Sequence, residues 1–316
     1  MARLSDQAVD RLRDAARRPM LDTDRYEIGA LIGEGGMGAV YSAFDRLLER
    51  DVALKVSVSG APGAELDGRL QRESQVLARL EHPGIVPVHD AGQLADGRWF
   101  YVMKLVHGDT LDRHLPGITS LPARLVLFTR IAETVAFAHA AGVVHRDLKP
   151  SNIMVGRFGE VLVLDWGVAK IIGASGHPDI ASSGPRASGT DTEAGTRIGT
   201  AGFMAPEQQR GDAALAGATA DVYSLGAVLQ WMLSGQDVPK RLRAIATKCL
   251  AEQPADRYPD AGALVDDLTR YQAGQAVTAY RESAWDAAVR WFDRYRTFIL
   301  LVVTYLVMRS LFAVWR

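Results

Sequence analysis

The stretch Val144-His145-Arg146-Asp147-Leu148-Lys149-Pro150-Ser151-Asn152 sets an acid, a base and an amide at short fixed spacings. Such a set suits phosphoryl transfer, whose loose transition state spreads charge over phosphoryl oxygens and is stabilised mainly by positioning and electrostatics. Asp147 can orient an attacking hydroxyl and take its proton. Lys149 can neutralise a terminal phosphate, and Asn152, five residues past Asp147, can hold a metal ion. The competing reading is a polar surface turn that happens to carry these residue types. Asp165-Trp166-Gly167 weighs against it, because a second carboxylate arrives there at the end of Val161-Leu162-Val163-Leu164, an apolar run that reads as a buried strand. Asp165 is the second metal-ligand candidate.

Other elements must bring a nucleotide to these groups. In Val52-Ala53-Leu54-Lys55-Val56 the period-2 alternation places Val52, Leu54 and Val56 on one face and Ala53 with Lys55 on the other. The candidate helix Leu66 to Leu80 carries Leu66, Leu70, Leu77 and Leu80 on one stripe with Glu73 in its middle. An unpaired buried carboxylate is costly, so Glu73 needs a cationic partner. Upstream, Gly33-Glu34-Gly35-Gly36-Met37-Gly38 is a glycine-rich turn. The same pattern opens a dinucleotide fold when a helix follows, but Ala39-Val40-Tyr41-Ser42-Ala43 is strand-like and predicts a hairpin.

With Ala205-Pro206-Glu207 added, these motifs stand in an order and at spacings that resemble a bacterial eukaryotic-type (Hanks-type) Ser/Thr protein kinase over about Tyr26 to Tyr271. The resemblance implies an α+β, bilobal protein-kinase fold, with a β-rich N-lobe over 24–106 and an α-helical C-lobe over 107–272. It implies that Glu73 pairs with Lys55, which grips the α- and β-phosphates, while Asp147, Lys149, Asn152, Lys55 and Glu73 form the catalytic set. The implied ATP site comprises Ile32, Gly33, Glu34, Gly35, Gly36, Met37, Gly38, Val40, Ala53, Lys55, Met103, Lys104, Val106 and Met154. Met103 is its gatekeeper and Lys104 to Val106 its hinge, and Mg2+ (or Mn2+) would sit on Asn152 and Asp165. Asp221, in front of the apolar Val222–Leu233, is expected to anchor the catalytic loop from below, and Arg257 to pair with Glu207. Thr200, by the same resemblance, contacts the catalytic Asp and Lys, and with Lys149 it argues for Ser/Thr acceptors.

The chain departs from the family pattern in three places. Lys104 stands where an acidic residue is usual, with little effect expected because the hinge reads adenine through backbone. Trp166 replaces the commoner Phe and is expected to pack as an apolar plug between His145 and the Glu73 helix. The helix ending near Ser234 is followed almost at once by the next at Pro239, so an element that commonly docks substrates is missing.

Between Gly173 and Arg197, 18 of 25 residues are Gly, Ala, Ser, Thr or Pro, too few large apolar groups to fold alone. This is the expected activation loop. Thr190, Thr192 and Thr196 are its candidate phosphorylation sites, Arg146 is a cation for the phosphate, and a homodimer would serve trans-autophosphorylation.

At 316 residues, 48% hydrophobic and net charge -1, the chain can bury a sizeable core and gives no sign of nucleic-acid binding. The single cysteine, Cys249, cannot form an internal disulfide and suits a reducing cytosol. No apolar signal-peptide core follows Met1. Residues 1–23 are expected to be an amphipathic leader, with a helix over Ser5–Arg18. Residues 273–297 are expected to be a juxtamembrane linker, and 298–315 a transmembrane or membrane-associated helix. Its apolar run Phe298–Met308 is short, and extension through Arg309 to Trp315 gives 18 residues, near the minimum span. With Arg290, Arg294 and Arg296 just before it, the expectation is a single-pass C-terminal anchor in the cell inner membrane with a cytoplasmic catalytic domain. Alternatives are an interfacial amphipathic helix or a helix docked on a partner, and, for location, a cytoplasmic protein. The functional expectation is an active kinase for protein Ser/Thr hydroxyls, against the alternative of a membrane-tethered ATP-binding pseudokinase scaffold.

Overall fold

The computed structural model describes residues 19, 24–35, 38–57, 64–94, 96–166, 170–171, 202–211 and 217–315. The expected leader helix, Gly36 and Met37 of the glycine turn, and the loop bearing Thr190, Thr192, Thr196 and Thr200 lie outside these residues.

The N-terminal part is built from β1 (Tyr26–Gly35), β2 (Gly38–Asp45), β3 (Arg50–Val56), α1 (Ala64–Arg79), β4 (Val88–Gln93) and β5 (Trp99–Lys104). The five strands form one antiparallel sheet in the order β1-β2-β3-β5-β4. Alternation in β3 sorts its side chains: Val52, Leu54 and Val56 join Tyr26, Tyr41, Phe100 and Val102 in one apolar cluster, and Lys55 takes the opposite face. That face is covered by α1, whose Leu70, Val76 and Leu77 are buried in the larger core. A strand follows the glycine turn, as a hairpin requires. Gly38 is obligatory there, since a Cβ on it would lie 2.5 Å from the Val56 carbonyl oxygen.

Beyond Lys104 the chain is mainly helical. It runs through β6 (Gly108–Thr110), α2 (Leu111–His114), α3 (Leu121–Ala140), β7 (Val143–Val144), β8 (Ile153–Gly156), β9 (Val161–Val163) and β10 (Lys170–Ile171). It continues through α4 (Pro206–Gln209), α5 (Ala218–Met232), α6 (Lys240–Cys249), α7 (Ala261–Gln272) and α8 (Ala284–Val314). Strands β6, β8 and β9 form a small antiparallel sheet, and β10 pairs with β7. Helix α3 begins at Leu121, capped by Ser120, whose Oγ accepts the Ala123 N–H at 3.4 Å, with Pro122 in the first turn. Helix α5 lacks a polar stripe because it is the centre of this lobe: Val222, Leu225, Val228 and Leu229 are all fully buried. Around it one core takes in Phe128 and Ile131 of α3, Leu242 and Ile245 of α6, and Leu264 and Leu268 of α7. The result is a sheet-rich N-lobe on a helical C-lobe. After Met232 the chain turns through Gly235, at φ 73°, and re-enters helix at Lys240, so 233–239 holds no extra helix.

The segment after α7 is tied to the lobe at its start. Asp267, buried on α7, accepts the backbone N–H groups of Thr278 (2.6 Å) and Ala279 (3.0 Å) and the hydroxyls of Thr278 and Tyr258. Val277 is buried beside them, which fixes the approach to α8 on the lobe. Helix α8 is a single 31-residue helix. Its first half carries Asp286, Arg290, Asp293, Arg294 and Arg296, and beyond these Phe298, Leu300, Leu301, Leu306 and Leu311 are exposed. Among the described residues no helix is long and apolar enough to cross a membrane. The spanning form expected for 298–315 is therefore not supported, because charged residues occupy half of α8 and Arg309 interrupts the rest.

Candidate active site

Lys55 stands where the sheet, α1 and the end of β9 meet. Its Nζ donates to both oxygens of Glu73, at 2.8 and 2.9 Å, and to Asp165 Oδ1 at 3.0 Å. Lys55 and Glu73 are 5% and 2% exposed, so this is a buried pair, whereas the Asp165 side chain is 59% exposed. Burial alone would lower the Lys55 pKa, but attraction to Glu73 and Asp165 outweighs it and holds the ammonium above its ordinary value. Partial burial pushes the Asp165 carboxyl up, and the Lys55 charge more than offsets it, leaving the carboxyl below its ordinary value. Asp165 also has φ 59°, a left-handed backbone that is costly for a non-glycine residue and typical of sites where geometry is constrained. Trp166, buried next to it, packs against His145 with ring centroids 4.7 Å apart and donates its indole N–H to the Val163 carbonyl at 3.1 Å.

The loop after β7 brings Asp147, Lys149 and Asn152 together. Asp147 Oδ2 accepts from Lys149 Nζ at 2.8 Å and from Asn152 Nδ2 at 3.0 Å, and Nδ2 also donates to the Asp147 carbonyl at 2.8 Å. With Nδ2 so committed, Oδ1 is the Asn152 atom suited to a hard cation. The Leu164 N–H donates to the Asn152 carbonyl at 2.8 Å, tying this loop to the strand that delivers Asp165. Among the described residues no group of three or more His, Cys, Asp or Glu could hold a metal ion. Asn152 and Asp165 fit instead the sparse ligation of Mg2+, which takes one or two protein oxygens and completes its shell with phosphates and water.

Asp221 holds the loop from beneath. Fully buried on α5, it accepts the N–H of His145 at 2.7 Å and of Arg146 at 2.7 Å. These bonds fix Arg146 at φ 71°, and Gln208 adds a bond from Nε2 to the Arg146 carbonyl at 2.9 Å. His139 on α3 completes the anchor: its Nδ1 accepts the Ala261 N–H at 3.1 Å, so its Nε2 donates to Asp221 at 2.9 Å. His145 is set the same way, with Nδ1 accepting from Asp147 N–H and Nε2 donating to the Leu164 carbonyl. Arg257 meets Glu207 in a fully buried bidentate pair at 2.7 and 2.9 Å. Burial raises the Glu207 carboxyl, and Arg257 outweighs this to hold it below its ordinary value.

The expected nucleotide-binding positions lie along adjoining strands. Strand register sets Val40 opposite Lys55 and Ala53 opposite Met103, with Gly33, Glu34 and Gly35 of β1 paired to β2. Ile32 is exposed on β1, Lys104 ends β5 with Val106 just beyond, and Met154 lies on β8. Motif reading missed Tyr101, His139 and Gln208. Tyr101 had a signal in being a polar aromatic at the centre of an apolar strand, whereas a lone helical histidine and a glutamine carry none.

The profile of the protein kinase domain family matches residues 26–260. The serine/threonine-protein kinase PknD of Protochlamydia amoebophila is 32% identical over 306 residues, covering 81% of this chain and 31% of that protein. The serine/threonine-protein kinase PknB of Mycolicibacterium smegmatis is 33% identical over 293 residues, covering 81% of this chain and 44% of that one. The crystal structure of the M. tuberculosis PknI kinase domain superposes with a TM-score of 0.57 at 27% identity, covering 79% of this chain and 96% of that one. The chain thus spans less than half the length of these curated relatives. With the lobes, the Lys55–Glu73 pair and the Asp147 loop arranged as described, and with the family profile covering most of the sequence, the chain belongs to the protein kinase domain family.

Proposed function

We propose that this chain is a protein-serine/threonine kinase that transfers the terminal phosphoryl group of ATP to Ser or Thr hydroxyls of protein substrates. The observation that carries the reading is the contact of one buried lysine with both Glu73 and Asp165, beside a loop that already joins Asp147, Lys149 and Asn152. Bound MgATP, or MnATP, supplies the phosphoryl group and the cationic charge that neutralises it. Lys55, held by Glu73, would grip the phosphates. Asn152 Oδ1 and the Asp165 carboxylate would hold the cation. Asp147 would orient the acceptor hydroxyl and take its proton, and Lys149 would stabilise charge on the phosphoryl oxygens. Ala53, small and opposite Met103, leaves room for adenine beside the backbone of Lys104 to Val106, with Val40 and Met154 as its apolar neighbours. Lys149, together with Thr200, favours Ser/Thr acceptors over Tyr. Purified protein with labelled ATP, Mg2+ and a generic protein substrate tests the reading. Phosphoserine or phosphothreonine that is lost in Asp147→Asn supports it, and no transfer by the wild-type chain contradicts it.

Regulation by autophosphorylation between two copies at Thr190, Thr192 or Thr196 is part of the proposal, supported by the threonine-rich sequence and by Arg146 beside Asp147. Mass mapping after incubation with MgATP checks it, with an unmodified loop as the contrary result. The proposed location is the inner face of the cell membrane, with α8 as the membrane-associated element and the kinase domain in the cytoplasm. Support comes from the exposed apolar side chains between Phe298 and Leu311 and from the arginines that precede them. Fractionation of the full chain and of a chain cut at Thr297 decides: detergent-free solubility of the full chain contradicts attachment.

A further inference from the structure

Tyr101 lies in the middle of β5 and is 1% exposed. Its hydroxyl donates to Glu73 Oε1 at 3.0 Å, so Glu73 receives three hydrogen bonds, two from Lys55 and one from Tyr101. In the sheet Tyr101 is the direct partner of Lys55, and paired residues on neighbouring strands project to the same face. The ring accordingly stands beside the ammonium, with Nζ 5.8 Å from its centroid. The terminal torsion of a glutamate is broad, and one ammonium at its tip leaves the carboxylate plane free to turn. A second donor on Oε1, from a different element, fixes that plane so that both oxygens meet Lys55. Burial first, and then the Glu73 charge, hold the phenol well above its ordinary pKa, so it remains the donor.

We propose that Tyr101 is a positioning residue for phosphoryl transfer: its hydroxyl orients the Glu73 carboxylate and thereby holds α1 against the sheet with Lys55 aimed at the nucleotide. This rests on the kinase reading of the same site. Were α1 to move away, the buried hydroxyl would lose its acceptor, and an unsatisfied buried donor is unfavourable. The hydroxyl therefore biases α1 toward the arrangement in which Lys55 and Glu73 are joined.

The test is a double-mutant cycle on transfer to a generic protein substrate, measured against ATP concentration in the full chain. It compares wild type, Tyr101→Phe, Glu73→Ala and the double variant, with single turnovers of labelled ATP for the slow ones. Tyr101→Phe keeps the ring and should lower kcat/KM for ATP about tenfold. Added to Glu73→Ala it should cause no further loss, whereas a purely packing role would multiply the two losses. If Tyr101→Phe fails to fold by circular dichroism, Tyr101→Leu serves in its place. A Tyr101 variant within about twofold of wild type, or losses that multiply, overturns the proposal. An inactive wild type is a separate outcome and overturns the kinase reading with it.

Discussion

The loop from His145 to Asn152 and the group around Lys55 are held by different kinds of bond. In the loop, the backbone itself is pinned: Asp221 takes two N–H groups, Gln208 takes the Arg146 carbonyl, and Asn152 bridges the Asp147 side chain and carbonyl. Every one of these partners belongs to the C-lobe, much of it anchored on the buried helix α5. The Lys55 group instead joins its elements through side chains alone, β3 to α1 and to the end of β9, with Tyr101 of β5 also on Glu73. Hydrogen bonds from a buried scaffold survive any motion that leaves the scaffold intact, whereas a lysine shared by two carboxylates on separate elements is lost when either element shifts. The loop that carries the base is thus built by folding, and the grip on the phosphates depends on how α1 and the sheet sit together.

The comparison breaks most sharply at its two functional tips. Asp147→Asn and Lys55→Met should each lower phosphotransfer by about a thousandfold or more, because each removes a transition-state interaction; Asp147→Asn should leave circular dichroism and melting temperature nearly unchanged, whereas Lys55→Met should also lower the melting temperature because it strands the buried Glu73 carboxylate. A variant near wild-type activity would remove that residue from the mechanism. The next largest effect lies in the scaffold. Arg257→Met should cost about 3–5 kcal/mol of stability, since it strands the fully buried Glu207 carboxylate, and it also deprives the Ala251, Thr219 and Glu252 carbonyls of a donor. Chemical denaturation measures this, and a loss under about 1 kcal/mol would mean that the pair is not the anchor its geometry indicates.

A milder effect comes from pH. Asp165, Glu207 and Asp267 are all held below the ordinary carboxylate range, each against the opposing push of burial. Below about pH 4 the unfolded chain therefore binds protons that the folded chain resists. Their contribution is fully present above that range and disappears as pH falls through the depressed folded values. Melting temperature should fall on acidification below about pH 4 and should be insensitive to these three groups between about pH 5 and 8.

What the sequence disclosed followed the same division. Short motifs with fixed spacing gave the site, because Asp147, Lys149 and Asn152 lie on one loop and alternation in β3 alone assigns Lys55 a face. Glu73 was legible as a charge within an apolar stripe. His139 and Gln208 were not, since His139 acts only through Asp221, Gln208 reaches the Arg146 carbonyl from a separate helix, α4, and neither residue type marks its position. The attachment of the segment after α7 was not legible, because it rests on Asp267, a single buried acid that accepts two backbone N–H groups and two hydroxyls. In the tail, the apolar run and the charged residues before it were legible separately, but not that one continuous helix from Ala284 carries both.

Hydrogen exchange with and without a non-hydrolysable MgATP analogue tests most directly the claim that one half of this kinase site is preassembled and the other is set by lobe contact. The account predicts that amides of 144–153 are already protected in the free protein and change little, while α1 around Glu73 and β3 around Lys55 gain protection when the nucleotide binds. Equal gains in both regions, or none in either, would contradict it.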